Sequence, residues 1–230
     1  MSVRHVAIAF FFLVAPVVAS ARPVVVELFT SEGCSSCPPA DAYLSELSRD
    51  RREVLPLAFH VTYWDGLGWR DPYSLEAATQ RQAEYSARFG ESAYTPEMVI
   101  DGQKRFVGSN RRAAEAAIEI AQKADEAGVD VSGVRRGGTL SVMVGRGTGH
   151  GQVLLVGYDT GHVTEVGRGE NTGRTLRESN IVRSIEAVGE WTGAPLTLEP
   201  ALPAGEQAAI LIQSPGGAII GAARVTNGAP

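Results

Sequence analysis

The sequence predicts an α/β unit of order β-α-β-α-β-β-α over residues 22–128, followed by an all-β, sandwich-like unit over residues 129–230. Three observations carry this reading. Up to Gly128, short β-branched apolar runs alternate with amphipathic stretches of helical period. Beyond it, apolar runs recur between glycine clusters with no helical period. Composition turns over at the same point: residues 1–128 hold 7 of the 26 glycines and residues 129–230 hold 19. Eleven aromatic residues lie between Arg22 and Gly128, against only Tyr158 and Trp191 after it.

Residues 1–21 read as a cleaved leader. Arg4 supplies a basic start, Val6–Val18 is a thirteen-residue apolar run, and Ala19-Ser20-Ala21 gives the small-x-small cleavage pattern. The run is too short to span a bilayer as a helix, so the expectation is an exported protein, periplasmic or secreted, with no membrane anchor. Val24–Phe29 is an apolar run suited to a buried strand. Pro38-Pro39 followed by Ala40, Leu44 and Leu47 opens a helix, since proline is tolerated in the first turn. Pro38 also disfavours helical geometry at Cys37, which predicts a helix start after the cysteines. Val54–Val61 is a second strand, and Leu75–Phe89 is an amphipathic helix stopped by Gly90. Asp101-Gly102 between Met98–Ile100 and Arg105–Val107 predicts a hairpin. Asn110 caps an alanine-rich helix running to Glu126. In the second unit, strands are expected at 129–134, 139–144, 152–158, 162–166, 180–188, 196–198, 208–213 and 218–225. Gly145–Gly151 has the wrong spacing for a dinucleotide fingerprint and reads as a hairpin loop.

Composition bounds function. A formal charge of −5 without a basic run leaves no footprint for nucleic acid. The two cysteines, Cys34 and Cys37, exclude a multi-disulfide scaffold. They form a C-x-x-C motif between a strand and a helix, in a chain expected where disulfides persist. In that setting Cys34 is the attacking thiolate, favoured by helix-start amides and the dipole, and Cys37 resolves the mixed disulfide. Glu27 interrupts an apolar strand, and a buried carboxylate there is a candidate acceptor for the proton of Cys37. In a right-handed β-α-β unit the loop after the second strand lies beside the motif. Tyr63, Trp64 and Trp69 in it are candidates for an apolar substrate rim, and Asp65 and Asp71 for turn and helix caps.

The leading expectation is a thiol–disulfide oxidoreductase that needs no cofactor beyond its cysteine pair. Its substrates would be protein or small-thiol disulfides, and its redox partner is unidentified. Two alternatives stand beside it: a secreted binding module with a structural disulfide, and a periplasmic copper or zinc carrier through Cys34, Cys37 and His60.

The strand, C-x-x-C and helix, followed by Tyr94-Thr95-Pro96-Glu97, resemble the thioredoxin superfamily. The resemblance implies a thioredoxin-like α/β domain in which Pro96 is a cis-proline facing the cysteines and Thr95 pairs with an incoming chain. Glu27–Asp41, His60–Pro72, Tyr94–Gly102 and Gly169–Arg174 are also similar to a secreted bacterial family, domain of unknown function 1223. That resemblance implies no substrate. The Glu170–Arg174 stretch by itself reads as a solvated turn.

Overall fold

The computed structural model describes residues 22–124 and 128–228. The expected leader and the expected helix end at Glu126 lie outside the described residues. β1 (Val24–Thr30), α1 (Pro38–Asp50), β2 (Val54–His60), α2 (Glu76–Phe89), β3 (Glu97–Ile100), β4 (Lys104–Val107) and α3 (Arg111–Lys123) follow in order. A 3₁₀ turn occupies Thr62–Trp64 between β2 and α2.

β1 and β2 run parallel, in register from Val24 with Val54 to Thr30 with His60, and β3 lies antiparallel on the other side of β1. Alternation along β1 divides the core. Val24, Val26 and Leu28 face α1 and α3, meeting Ala40, Leu44 and Ile118. Val25 and Phe29 face α2 and meet Tyr85. β1 and β2 are buried on both faces, so apolar residues occupy odd and even positions alike. At the β3–β4 turn both central residues have positive φ, Asp101 at 46° and Gly102 at 65°. A Cβ on Gly102 would lie 2.1 Å from the carbonyl oxygen of Gly217, so this position requires glycine twice over.

The remaining elements are strands: β5 (Val131–Arg136), β6 (Thr139–Val144), β7 (Gly151–Glu165), β8 (Thr175–Trp191), β9 (Leu196–Leu198), β10 (Gln207–Gln213) and β11 (Ile219–Asn227). The structure differs here from the sequence expectation in three ways. β7 and β8 are single strands of 15 and 17 residues forming one long hairpin, bent by irregularities at Val153/Leu154 and Gly157/Tyr158. Residues 145–150 join β6 to β7, which do not pair; β6 pairs with β5 and β9, so the stretch is a crossover and not a hairpin loop. Lastly, the all-β half is not laid down as a separate pair of sheets. Among the described residues, eleven strands form one mixed sheet in the order β4-β3-β1-β2-β8-β7-β10-β11-β5-β6-β9. That sheet curls over itself, so that Leu140, Val142 and Val144 of β6 pack in a sandwich-like core with Val153, Leu155, Trp191, Ile210 and Ile212.

The two halves share one apolar core, in which Leu55, Leu57 and Phe59 meet Leu154, Val156, Val182 and Leu211, but the backbone ladder between them is short. β2 and β8 share one parallel backbone pair, Ala58 with Ile181. Pro56 has no N–H to extend this ladder; its carbonyl instead accepts the side-chain amide of Asn180 at 2.8 Å. Asn180 reaches it from a left-handed backbone with φ of 53°.

Candidate active site

Cys34 and Cys37 are joined in a disulfide at the junction of β1 and α1. Both are fully buried, while Ser35 and Ser36 between them are exposed. Cys37 caps α1 with helical φ and ψ of −78° and −37°, although proline follows. α1 itself thus begins at Pro38, directly after the pair as expected, although Cys37 as its cap already has helical geometry. Pro38 and Pro39 have no N–H, the amides of Ala40 and Asp41 donate to the Cys37 carbonyl, and the amide of Cys37 donates to the Cys34 carbonyl. The expected helix-start amides are therefore not available to a Cys34 thiolate. The polar neighbour of its sulfur is the Ser36 hydroxyl, 3.3 Å away.

Beside the motif lies a buried group of ionisable side chains, Glu32, Asp41, His60, Asp71 and Glu178. The fold gathers them from five places: the β1–α1 loop, the first turn of α1, the end of β2, the loop before α2, and β8. The parallel register sets Thr30 beside His60. Thr30 donates its hydroxyl to Asp41 at 2.7 Å, and Asp41 lies one helical turn beyond Cys37. Asp71 accepts both from the backbone of Glu32 at 2.8 Å and, at 2.7 Å, from Nδ1 of His60. On its other side, Nε2 of His60 is 3.9 Å from Glu178.

Burial pushes Asp41 up to about 7 and Glu178 up to about 8, and raises Glu32 as well. For His60, burial acts downward, but the charges of Asp71 and Glu178 outweigh it and lift the imidazole to about 10. Asp71 likewise resists its own burial and is lowered by His60. Four acids thus surround one protonated imidazole. Sequence reasoning treated His60 as a low-ranking metal ligand and Asp71 as a cap, and passed over Glu32, Asp41 and Glu178. The one available signal was Asp41, four residues from Cys37 on a helix face otherwise apolar.

Glu27, the expected proton acceptor, is buried on the opposite face of β1, against α2. There Arg81 pairs with it through Nε and, at 3.0 Å, through Nη2, and the Tyr85 hydroxyl donates at 2.6 Å. Strand alternation puts Glu27 with Val25 and Phe29, on the face of β1 away from α1, contrary to the expectation that it lies beside Cys37. The aromatic residues split. Trp64 donates its indole N–H to Thr95 at 2.8 Å and packs against Gly33, where a Cβ would meet it at 3.2 Å. Trp69 donates to Glu32 at 2.7 Å. Tyr63 is 43% exposed and turns its hydroxyl to Gln82. The Thr95–Pro96 peptide is cis and immediately precedes β3, which pairs with the end of β1.

The β7–β8 loop also reaches the motif, contrary to its reading as a solvated turn. Asn171 is fully buried and donates its amide to the carbonyls of Glu32 and Cys34, each at 2.9 Å. Glu170 accepts from the backbone N–H of Ser35 at 3.1 Å. Gly169, with φ of 76°, passes so close to Trp69 that a Cβ would lie 3.1 Å from that residue's own Cβ. Among the described residues, no group of three or more His, Cys, Asp or Glu side chains is arranged to hold a metal ion. None of their helices is long and apolar enough to cross a membrane.

A protein family of unknown function, DUF1223, matches residues 25–213. A crystal structure from Agrobacterium tumefaciens is similar to the chain with a TM-score of 0.78 and 30% identity, covering 89% of this chain and 94% of that one. HBP35 of Porphyromonas gingivalis shares the fold at 14% identity and a TM-score of 0.62, over 89% of this chain and 74% of its own. No curated protein matches the chain significantly.

Proposed function

The chain belongs to the DUF1223 family, and from its site we propose that it is an exported thiol–disulfide oxidoreductase with Cys34 and Cys37 as its redox centre. The observation that carries the proposal is the buried ionisable group set against the cysteine pair. Buried acids cost stability and gather where protons are handled. The β-α-β arrangement around the motif, with β3 antiparallel beside it, supports a thioredoxin-like reading of the first half.

In this reading a thiolate of a partner dithiol attacks Sγ of Cys34. The Cys34–Cys37 bond breaks, its electron pair leaves on Cys37, and Asp41 delivers the proton that Cys37 takes up. The partner's second thiolate then attacks the partner sulfur of the mixed disulfide. This forms the partner's disulfide and releases Cys34, with two electrons transferred to the pair. The reverse sequence oxidises a partner, and Asp41 then receives the proton. Asp41 takes over the role the sequence suggested for Glu27, being buried on the α1 side of β1 and free of an arginine partner. Thr95, Pro96 and Trp64 form the wall against which a partner chain docks.

The test is the reduction potential of the pair, by glutathione-buffer titration with alkylation and intact mass. A value within roughly −120 to −270 mV supports a catalytic pair. A value below about −300 mV with slow exchange refutes it and favours a structural disulfide. Loss of exchange in Cys34→Ser is the companion result; exchange at the wild-type rate in that variant would also refute the assignment.

A further inference from the structure

We propose that the tip of the β7–β8 hairpin is a specificity gate: Glu170 and Asn171 hold it closed over Cys34 and select small thiols over folded-protein dithiols. This rests on the redox reading above. Both cysteines are fully buried, although the two serines between them are exposed. Cys34 is thus buried immediately beside exposed chain, and the tip bonds that chain on both sides of the Cys34–Ser35 peptide.

Two of the tip's side chains, Glu170 and Asn171, bond the backbone in and just before the motif. Asn171 fills the carbonyl of Cys34, and Glu170 fills the N–H of Ser35. The Ser35 N–H would otherwise be open to a polypeptide docking along Thr95, whereas the Cys34 carbonyl also accepts the Cys37 amide within the motif's own turn. A protein partner has to displace both contacts before its sulfur reaches Cys34, whereas a small dithiol needs only a narrow opening. The tip is suited to lifting. Residues 167–170 and 172–174 are exposed, and Gly169 and Gly173 carry positive φ, at 76° and 78°. Its remaining support is the Asn171 bond to the Glu32 carbonyl and packing on the loop before α2, where Gly169 lies against Gly68 and Trp69 and the Trp69 ring lies 3.6 Å from the Cβ position of Gly167. Glu170 and Asn171 are thus specificity-determining residues contributed by the C-terminal half.

The experiment measures the rate at which the oxidised protein is reduced by dithiothreitol and by reduced thioredoxin, a folded dithiol protein. The variants are Glu170→Ala, Glu170→Gln and Asn171→Ala. Removing one hydrogen bond enlarges the open population roughly three- to tenfold. The expected result for Glu170→Ala is a rise of that size with thioredoxin, a smaller rise with dithiothreitol, and an unchanged melting temperature. Glu170→Gln keeps an acceptor and should retain most of the wild-type ratio. Asn171 is buried, so Asn171→Ala is read with its melting curve; the exposed Glu170 decides the matter if that variant does not fold. Exchange in which Glu170→Ala leaves the ratio of the two rates unchanged overturns the gate alone. Absence of exchange with either probe, in wild type and Glu170→Ala alike, overturns the redox reading and the gate with it.

Discussion

Asp41→Asn should stabilise the protein at alkaline pH and slow its disulfide exchange. Asp41 is buried, and its carboxyl is raised from 3.8 to about 7, burial being the main cause. Below pH 4 both folded and unfolded chains hold the proton and the group contributes nothing. Between 4 and 7 the unfolded chain ionises while the native one keeps its proton, so stability falls as pH rises. At about 1.4 kcal/mol for each tenfold change, the accumulated loss above pH 7 is about 4 kcal/mol. Asparagine has nearly the same shape, and its oxygen still accepts from Thr30, so the variant escapes that loss. The gain is capped at about 4 kcal/mol because the Asp41 charge also supports protonated His60. Exchange should slow by about 10²-fold, the low end for a positioned proton carrier. Denaturant unfolding at pH 4 and 8.5, with stopped-flow reduction on the same samples, measures both effects. A stability difference equal at the two pH values, or a variant that exchanges at the wild-type rate, would refute the reasoning.

Three further outcomes are expected. His60→Gln leaves the buried Asp71 carboxylate without its counter-charge, at a cost of about 3–5 kcal/mol. With the imidazole raised from 6.5 to about 10, that cost is full below pH 6.5 and fades as pH passes 10; unfolding at pH 6 and 10 checks this, and a pH-independent cost contradicts it. Arg81→Ala strands the buried Glu27 carboxylate and should cost about 3–5 kcal/mol, while exchange per folded molecule stays unchanged. An exchange defect with normal stability would return Glu27 to the chemistry. Ser36→Ala removes the hydroxyl beside the Cys34 sulfur and should raise the thiol's pKa, read from the pH dependence of alkylation in the reduced protein. An unshifted midpoint would mean that the hydroxyl does not hold the thiolate.

The α/β half was legible because its signals are local. β-Branched runs, a double proline, Asp101-Gly102 and Gly90 each act within a few residues of where they stand. The cysteine motif was legible for the same reason. What stayed hidden was every pairing across sequence distance. Glu27 was visibly anomalous, but Arg81, 54 residues on, settles where its charge goes. Asn171 bonds the Cys34 carbonyl across 137 residues, and a glycine-rich turn looks alike whether it meets solvent or a site. The single sheet was hidden too, since β2 meets β8 through one backbone pair and one asparagine amide, which impose no periodicity on either strand.

Magnitudes separate the redox reading from that of an inert clamp. Closing a four-residue loop stabilises a protein by about 2 kcal/mol in the chain-entropy model. Burying Asp41 alone takes back about 4 kcal/mol near neutral pH. A fold selected for the clamp would gain by placing an apolar residue at 41, where Leu44 and Leu47 already pack on the same helix. Instead, four acids and a histidine from five chain segments converge there, one of them delivered by β8 from the far half of the molecule. That arrangement lowers stability and is accounted for when protons must move as the Cys34–Cys37 bond opens and closes. The same half of the chain that supplies Glu178 also supplies the tip over Cys34, so the β-rich half belongs to the site and does more than extend the sheet.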